Sequence, residues 1–122
     1  MARILLIEDD QQVREVFSEL LARAGHDVVP MVNGRDVAKL RDAVAADLVI
    51  TDILMPERDG LEVICELRRC APEVKIIAIS GGRTIGPALY LESAESLGAD
   101  RAFAKPVEGA ELLAAVRELL GE

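Results

Sequence analysis

The chain has 122 residues, 51% of them apolar and only 2% aromatic, with a formal net charge of -8. That length suits one domain, residues 1–122, built around an aliphatic core of the kind that fills a buried parallel sheet. The charge argues against a direct grip on nucleic-acid phosphates, and no apolar run reaches membrane-spanning length, so neither nucleic acid nor a membrane is an expected partner.

Short apolar runs alternate with amphipathic stretches from end to end. Arg3 to Ile7 reads as a buried strand, cut off by Glu8, Asp9 and Asp10 before it can serve as the apolar core of a secretion signal. Val13, Val16, Phe17, Leu20, Leu21 and Ala24 recur at helical spacing, with Gly25 as a C-terminal stop. His26 to Met31 is the expected second strand. Val37, Leu40 and Val44 mark a helix entered through Asn33-Gly34, and Asp47 to Thr51 a third strand. Leu61, Ile64 and Leu67 share one face of a helix that ends before Pro72. Val74 to Ile79 is the most β-like run in the chain. Beyond it, Gly81-Gly82 opens a loop, and a weaker helix spans roughly Pro87 to Leu97, stopped by Gly98. Arg101 to Ala104 is a short fifth strand, and Leu112, Leu113, Val116, Leu119 and Leu120 form the face of a last helix.

Strands alternating with helices imply an α/β fold, a parallel sheet covered on both faces. The alternation itself fixes no strand order; with right-handed crossovers, the order 2-1-3-4-5 is expected by analogy with known doubly wound sheets. No stretch reads as a separate output domain, a repeat or a linker. Cys65 and Cys70 have no paired ligand set and read as reduced thiols in a cytoplasmic protein.

In such a sheet, ligands bind at the carboxyl ends of the strands. There the sequence places Glu8-Asp9-Asp10 after the first strand, Asp52 after the third, Ser80 after the fourth and Lys105 after the fifth. One acidic strand end would mean little; acids, a hydroxyl and a lysine converging on one edge mean more. Crowded carboxylates repel one another unless a cation intervenes, and oxygen ligands of high charge suit Mg²⁺ or Mn²⁺. Lys105 adds a point charge and Ser80 a hydrogen-bond donor for phosphate oxygens, and a carboxylate is a competent covalent acceptor. The turn after the first strand is acidic rather than glycine-rich, which excludes a dinucleotide-binding site there, and no P-loop pattern occurs.

Ile4-Leu5-Leu6-Ile7-Glu8-Asp9-Asp10, Thr51-Asp52-Ile53-Leu54-Met55-Pro56 with Asp59-Gly60, Ile79-Ser80-Gly81, and Gly98-Ala99-Asp100 with Lys105-Pro106 resemble two-component response-regulator receiver domains of the CheY-like superfamily. The similarity covers nearly the whole chain and implies a flavodoxin-like (βα)5 fold. By this resemblance Asp52 is the phosphoacceptor. Glu8 and Asp9 hold Mg²⁺ together with Asp52 and the backbone carbonyl of Leu54, Asp9 being the more direct ligand. Ser80 follows the phosphoryl group, Lys105 contacts the phosphate, and the Lys105-Pro106 bond is cis. Asp10 lies one position beyond the acidic pair and is expected to cap the first helix.

The resemblance also implies a phosphohistidine donor, either a histidine kinase or a histidine phosphotransfer protein, and a downstream output protein or domain. Intrinsic autophosphorylation and autodephosphorylation are implied, without other enzymatic activity; homodimerisation stays open. Two departures stand out. The position three before the lysine, usually aromatic in receivers, is Ala102, with Phe103 its neighbour on the opposite face of the strand. The loop carrying Gly81 and Gly82 is unusually rich in glycine.

Simpler readings are weighed beside these. Asp10 as a helix cap is favoured over Asp10 as a ligand. His26 reads as a plain surface or strand residue, and Arg68 and Arg69 as a solvated helix end. Two rival functions remain: a phosphorylation-independent receiver-like scaffold, favoured by Ala102, and a phosphohydrolase passing through an aspartyl-phosphate. The latter needs a second acid near the nucleophile, and Leu54, two positions beyond Asp52, cannot serve.

Overall fold

A computed structural model describes residues 2–35, 37–53, 60–80 and 94–121. Among these, the elements in chain order are β1 (Arg3–Ile7), α1 (Gln11–Arg23), β2 (Asp27–Met31), α2 (Val37–Val44), β3 (Leu48–Asp52), α3 (Gly60–Cys70), β4 (Lys75–Ser80), β5 (Arg101–Ala104) and α4 (Gly109–Leu120). Of the helix expected over 87–97, residues 94–97 are helical and the rest lie outside the described residues.

All four strand pairings are parallel, and the sheet order is β2-β1-β3-β4-β5. The alternation of elements predicts the parallel sheet, and the order agrees with that taken from known doubly wound proteins. The central strands β1, β3 and β4 are buried almost throughout, whereas the edge strands β2 and β5 are only partly so. That difference explains why the central strands read as continuous aliphatic runs.

Alternation along each strand divides the core in two. Ile4, Leu6, Leu48, Ile50, Ile77 and Ile79 face one side, against Phe17 and Leu21 of α1 and Leu112, Ala115 and Val116 of α4. Leu5, Ile7, Val49, Ile76 and Ala78 face the other, against Val37 of α2 and Val63, Ile64 and Leu67 of α3. A leucine or isoleucine buried this completely contributes roughly 1.5–3 kcal/mol, so the two aliphatic layers fix the register that aligns the strand ends.

The helix boundaries follow local chemistry. Asp10 caps α1, its carboxylate accepting from the N–H groups of Gln12 and Val13 at 2.9 and 3.2 Å. Gly25, at φ 95°, takes the left-handed turn that leads from α1 towards β2.

Two residues depart from their expected settings. His26 is buried at 7% exposure rather than on the surface, and its Nδ1 accepts from the Ala2 N–H at 3.2 Å. Arg68 is not a solvated helix end. Its guanidinium donates to the carbonyls of Gly98, Pro72 and Val74 and to the Asp100 carboxylate.

Candidate functional site

The carboxyl ends of β1, β3, β4 and β5 deliver the site. Asp52 is the last residue of β3 and Ser80 the last of β4; Glu8 follows β1 and Lys105 follows β5. The register sets Asp52 beside Ile79, so Ser80 lies one position further along the neighbouring strand. The Lys105 N–H donates to the Ser80 carbonyl at 2.9 Å, which carries the pairing of β4 and β5 one residue past its end. The Lys105-Pro106 peptide is cis, as the resemblance implies.

Glu8 is 2% and Asp52 4% exposed, whereas Asp9 is open to solvent. One carboxylate oxygen from each of the three lies within 4.8 Å of the other two. Lys105 Nζ reaches between the buried pair, 2.9 Å from Glu8 Oε1 and 2.9 Å from Asp52 Oδ2. Three carboxyl groups share one ammonium, and crowding negative charge where Glu8 and Asp52 are buried is costly.

Both partners register the strain. Burial raises the Glu8 pKa from 4.5 to about 7; bonds from Lys105 and the Asp10 N–H oppose the rise, and the Asp52 charge adds to it. For Lys105, burial pulls the pKa down, but hydrogen bonds to Asp52 and Glu8 outweigh it and hold the ammonium above its usual value. A compact set of hard oxygen donors with unbalanced negative charge fits a divalent cation of the Mg²⁺ type.

Ser80 is fully buried, and among the described residues its Oγ has no hydrogen-bond partner. A buried hydroxyl left without a partner is uncommon, and here it sits at the strand end next to that of Asp52. The Leu54 carbonyl, Gly81 and Gly82 lie outside the described residues. Ala102 packs against the core layer on the α2/α3 side, and Phe103 against the layer on the α1/α4 side. Opposite orientation of the two side chains therefore holds, and the aromatic ring is committed to packing away from position 102.

One contributor was missed from the sequence. Arg14 Nη1 donates to the carbonyl of Glu8 at 2.8 Å and, more weakly, to that of Asp9 at 3.4 Å. Its acceptors are backbone atoms, so the only signal available was an arginine on the first turn of a helix that follows an acidic turn.

Comparison with known proteins gives a consistent result. The family profile described as response regulator receiver domain matches residues 4–117. The transcriptional regulatory protein AfsQ1 of Streptomyces coelicolor is 36% identical over 120 residues, covering 98% of this chain and 52% of that protein. CpxR of Klebsiella pneumoniae is 32% identical, covering 98% of this chain and 50% of its own length. A regulator named NtrC from Azospirillum brasilense matches over only 24% of its length, so the chain spans a quarter to about half of these relatives.

Among solved structures, the response regulator TrrA of Thermotoga maritima, in complex with Mg²⁺ and BeF, superposes with a TM-score of 0.85 at 33% identity, covering 98% of this chain and 99% of that one. A receiver domain protein from Clostridium thermocellum gives a TM-score of 0.90 at 24% identity, over 99% of this chain and 95% of that one, and supports the fold alone.

Proposed function

Since the chain belongs to the response regulator receiver domain family, we propose that residues 1–122 form one receiver domain in which Asp52 accepts the phosphoryl group of a two-component relay. The observation that carries this is the Lys105 ammonium held between the nearly buried carboxylates of Asp52 and Glu8, with Asp9 alongside. Three strand ends far apart in sequence thereby share one charge-paired cluster.

An Asp52 carboxylate oxygen attacks the phosphorus of a phosphohistidine in line. The P–O bond forms as the P–N bond breaks, and the departing imidazole leaves with the bonding pair and takes a proton from solvent. Lys105, already bonded to Asp52, passes its hydrogen bond to a phosphoryl oxygen. The Ser80 hydroxyl finds in a second phosphoryl oxygen the acceptor it lacks. Glu8, Asp9, Asp52 and the Leu54 carbonyl would hold Mg²⁺ or Mn²⁺, which when bound neutralises charge on the phosphoryl oxygens.

The acyl phosphate then shifts a pre-existing equilibrium in the segment after Ser80. A partner reads the change on a face that includes β5 and α4. The donor is a histidine kinase or histidine phosphotransfer protein, and the reader an output domain or protein, in a cytoplasmic setting. No described helix is long and apolar enough to cross a membrane. The domain's own contribution to phosphorylation from small donors and to hydrolysis belongs to the same reading.

Ala102 favours a second reading, a scaffold that binds partners without phosphorylation. Acetyl phosphate, or beryllofluoride, supplied with Mg²⁺ separates the two. A phosphoreceiver gains an adduct at Asp52, detected by mass spectrometry or fluorine resonance, and Asp52→Asn gains none while keeping its fold. No adduct on the unaltered chain, or full labelling of Asp52→Asn, overturns the assignment.

A further inference from the structure

The acidic turn between β1 and α1 is held unequally. Glu8 is fixed at four points: its N–H donates to the Met31 carbonyl at 2.9 Å, its carbonyl accepts from Arg14, its Oε2 accepts from the Asp10 N–H at 3.1 Å, and its Oε1 pairs with Lys105. Asp9 has none of these carboxylate restraints. It is exposed, and among the described residues no hydrogen bond or ion pair engages its carboxylate. Its direction depends on its backbone, and the side chain gripping that backbone is Arg14, which spans both carbonyls from the half-buried face of α1.

We propose that Arg14 is a positioning residue for the cation site, fixing the turn so that the Asp9 carboxylate stands ready beside Glu8 and Asp52. This rests on the receiver reading above. Nη1 carries two N–H groups and so serves both carbonyls from one atom, while Asp10, which receives the Arg14 backbone N–H on its carbonyl at 2.9 Å, ties the same residue into the first turn of α1. The helix start and the acid pair thus move as one piece. Partners of this outer kind typically govern metal affinity by about 10- to 100-fold.

Positioning and simple electrostatics give opposite signs. A positive charge near a cation site should weaken metal binding, so removing it should tighten binding. Positioning requires the reverse.

The test uses Arg14→Met and Arg14→Lys in the full chain, with Mn²⁺ binding followed by electron paramagnetic resonance and Mg²⁺ by competition. Arg14→Met should bind metal roughly tenfold more weakly, and Arg14→Lys should fall between it and the unaltered chain, since its shorter side chain carries the donors less far towards the two carbonyls. Labelling by acetyl phosphate should return to the unaltered rate at saturating metal, a pattern general loosening of the fold would not give. Unchanged or tighter metal binding by Arg14→Met overturns the proposal. If thermal melts show that Arg14→Met does not fold, Arg14→Lys decides, and affinity equal to the unaltered chain overturns it. Asp9→Asn is the control: if it binds metal as the unaltered chain does, the receiver reading of the acid pair fails rather than the role of Arg14.

Discussion

A methyl group on Gly60 would fall 2.3 Å from the carbonyl oxygen of Asp52. The first residue of α3 therefore lies directly on the end of β3, and the Gly60 N–H donates to the Ile53 carbonyl at 2.8 Å to hold it there. This contact gives the Asp59-Gly60 motif a physical reason: only a residue without a side chain lets the helix start so close to the acceptor strand. Gly60→Ala forces backbone against backbone, an overpacking that costs about 1–3 kcal/mol. Its urea midpoint should fall, and labelling of Asp52 by acetyl phosphate should slow because the carboxylate moves with its strand end. An unchanged midpoint would show that α3 shifts freely.

Glu8 makes the metal-free protein sensitive to pH. Its folded pKa, about 7, lies above the ordinary 4.5, so the folded state binds the proton more tightly than the unfolded chain. The stabilisation is complete below about 4.5 and is lost as pH rises through about 7, an effect on the order of a few kcal/mol. The stability difference between the unaltered chain and Glu8→Gln, measured by urea unfolding, should shift against the unaltered chain across that window. Mg²⁺ should reverse the loss by stabilising the ionised form. A difference that stays flat from pH 4.5 to 7 sinks the argument.

The sequence made the sheet legible because alternation and strand composition are properties of side chains. Ile4 to Ile7 and Ile76 to Ile79 are buried on both faces and could hardly be read otherwise. The gathering of polar groups at one edge was legible for the same reason: Glu8, Asp52, Ser80 and Lys105 interrupt apolar runs where the strands end. Asp10 was readable as a cap because capping is local. Arg14, Arg68 and His26 were not legible in this way. Apart from the Asp100 carboxylate that pairs with Arg68, their partners are backbone carbonyls and an N–H group, which carry no residue-type signature, and Gly98 and Asp100 for Arg68, like Ala2 for His26, are brought close by tertiary structure. An arginine with four acceptors and an arginine in water look alike in a sequence.

Lys105→Ala removes the cation between two buried carboxylates. Breaking a buried pair leaves uncompensated charge, here worth up to about 3 kcal/mol at pH 8. The loss should shrink at pH 5, where Glu8 takes up a proton and relieves the repulsion. Asp52 keeps its nucleophilic oxygen, so labelling by acetyl phosphate should persist at a reduced rate. The amide-resonance shifts that follow beryllofluoride binding should weaken, because the phosphoryl mimic loses its lysine partner. A response of full size would remove Lys105 from the phosphate-contacting role.

Arg68 offers the complementary case, a cluster at the far end of the sheet. Its Nε donates to Gly98 O at 2.8 Å, its Nη1 to Pro72 O at 3.0 Å and to Val74 O, and its Nη2 to Asp100 Oδ2 at 2.7 Å. Asp100 Oδ2 also accepts from the Ile76 N–H at 2.8 Å, so one guanidinium joins the end of α3 to the starts of β4 and β5. Hydrogen bonds to a charged group contribute about 1.5–3 kcal/mol each, less than additively when shared, so Arg68→Ala should cost roughly 3 kcal/mol by urea unfolding. Because these contacts gather at the amino ends of the strands, Mg²⁺ affinity and the beryllofluoride adduct at Asp52 should be unchanged in the folded variant. If the adduct is lost while the fold is retained, the clamp is coupled to Asp52 through β4, and stability is not separable from the chemistry at the strand ends.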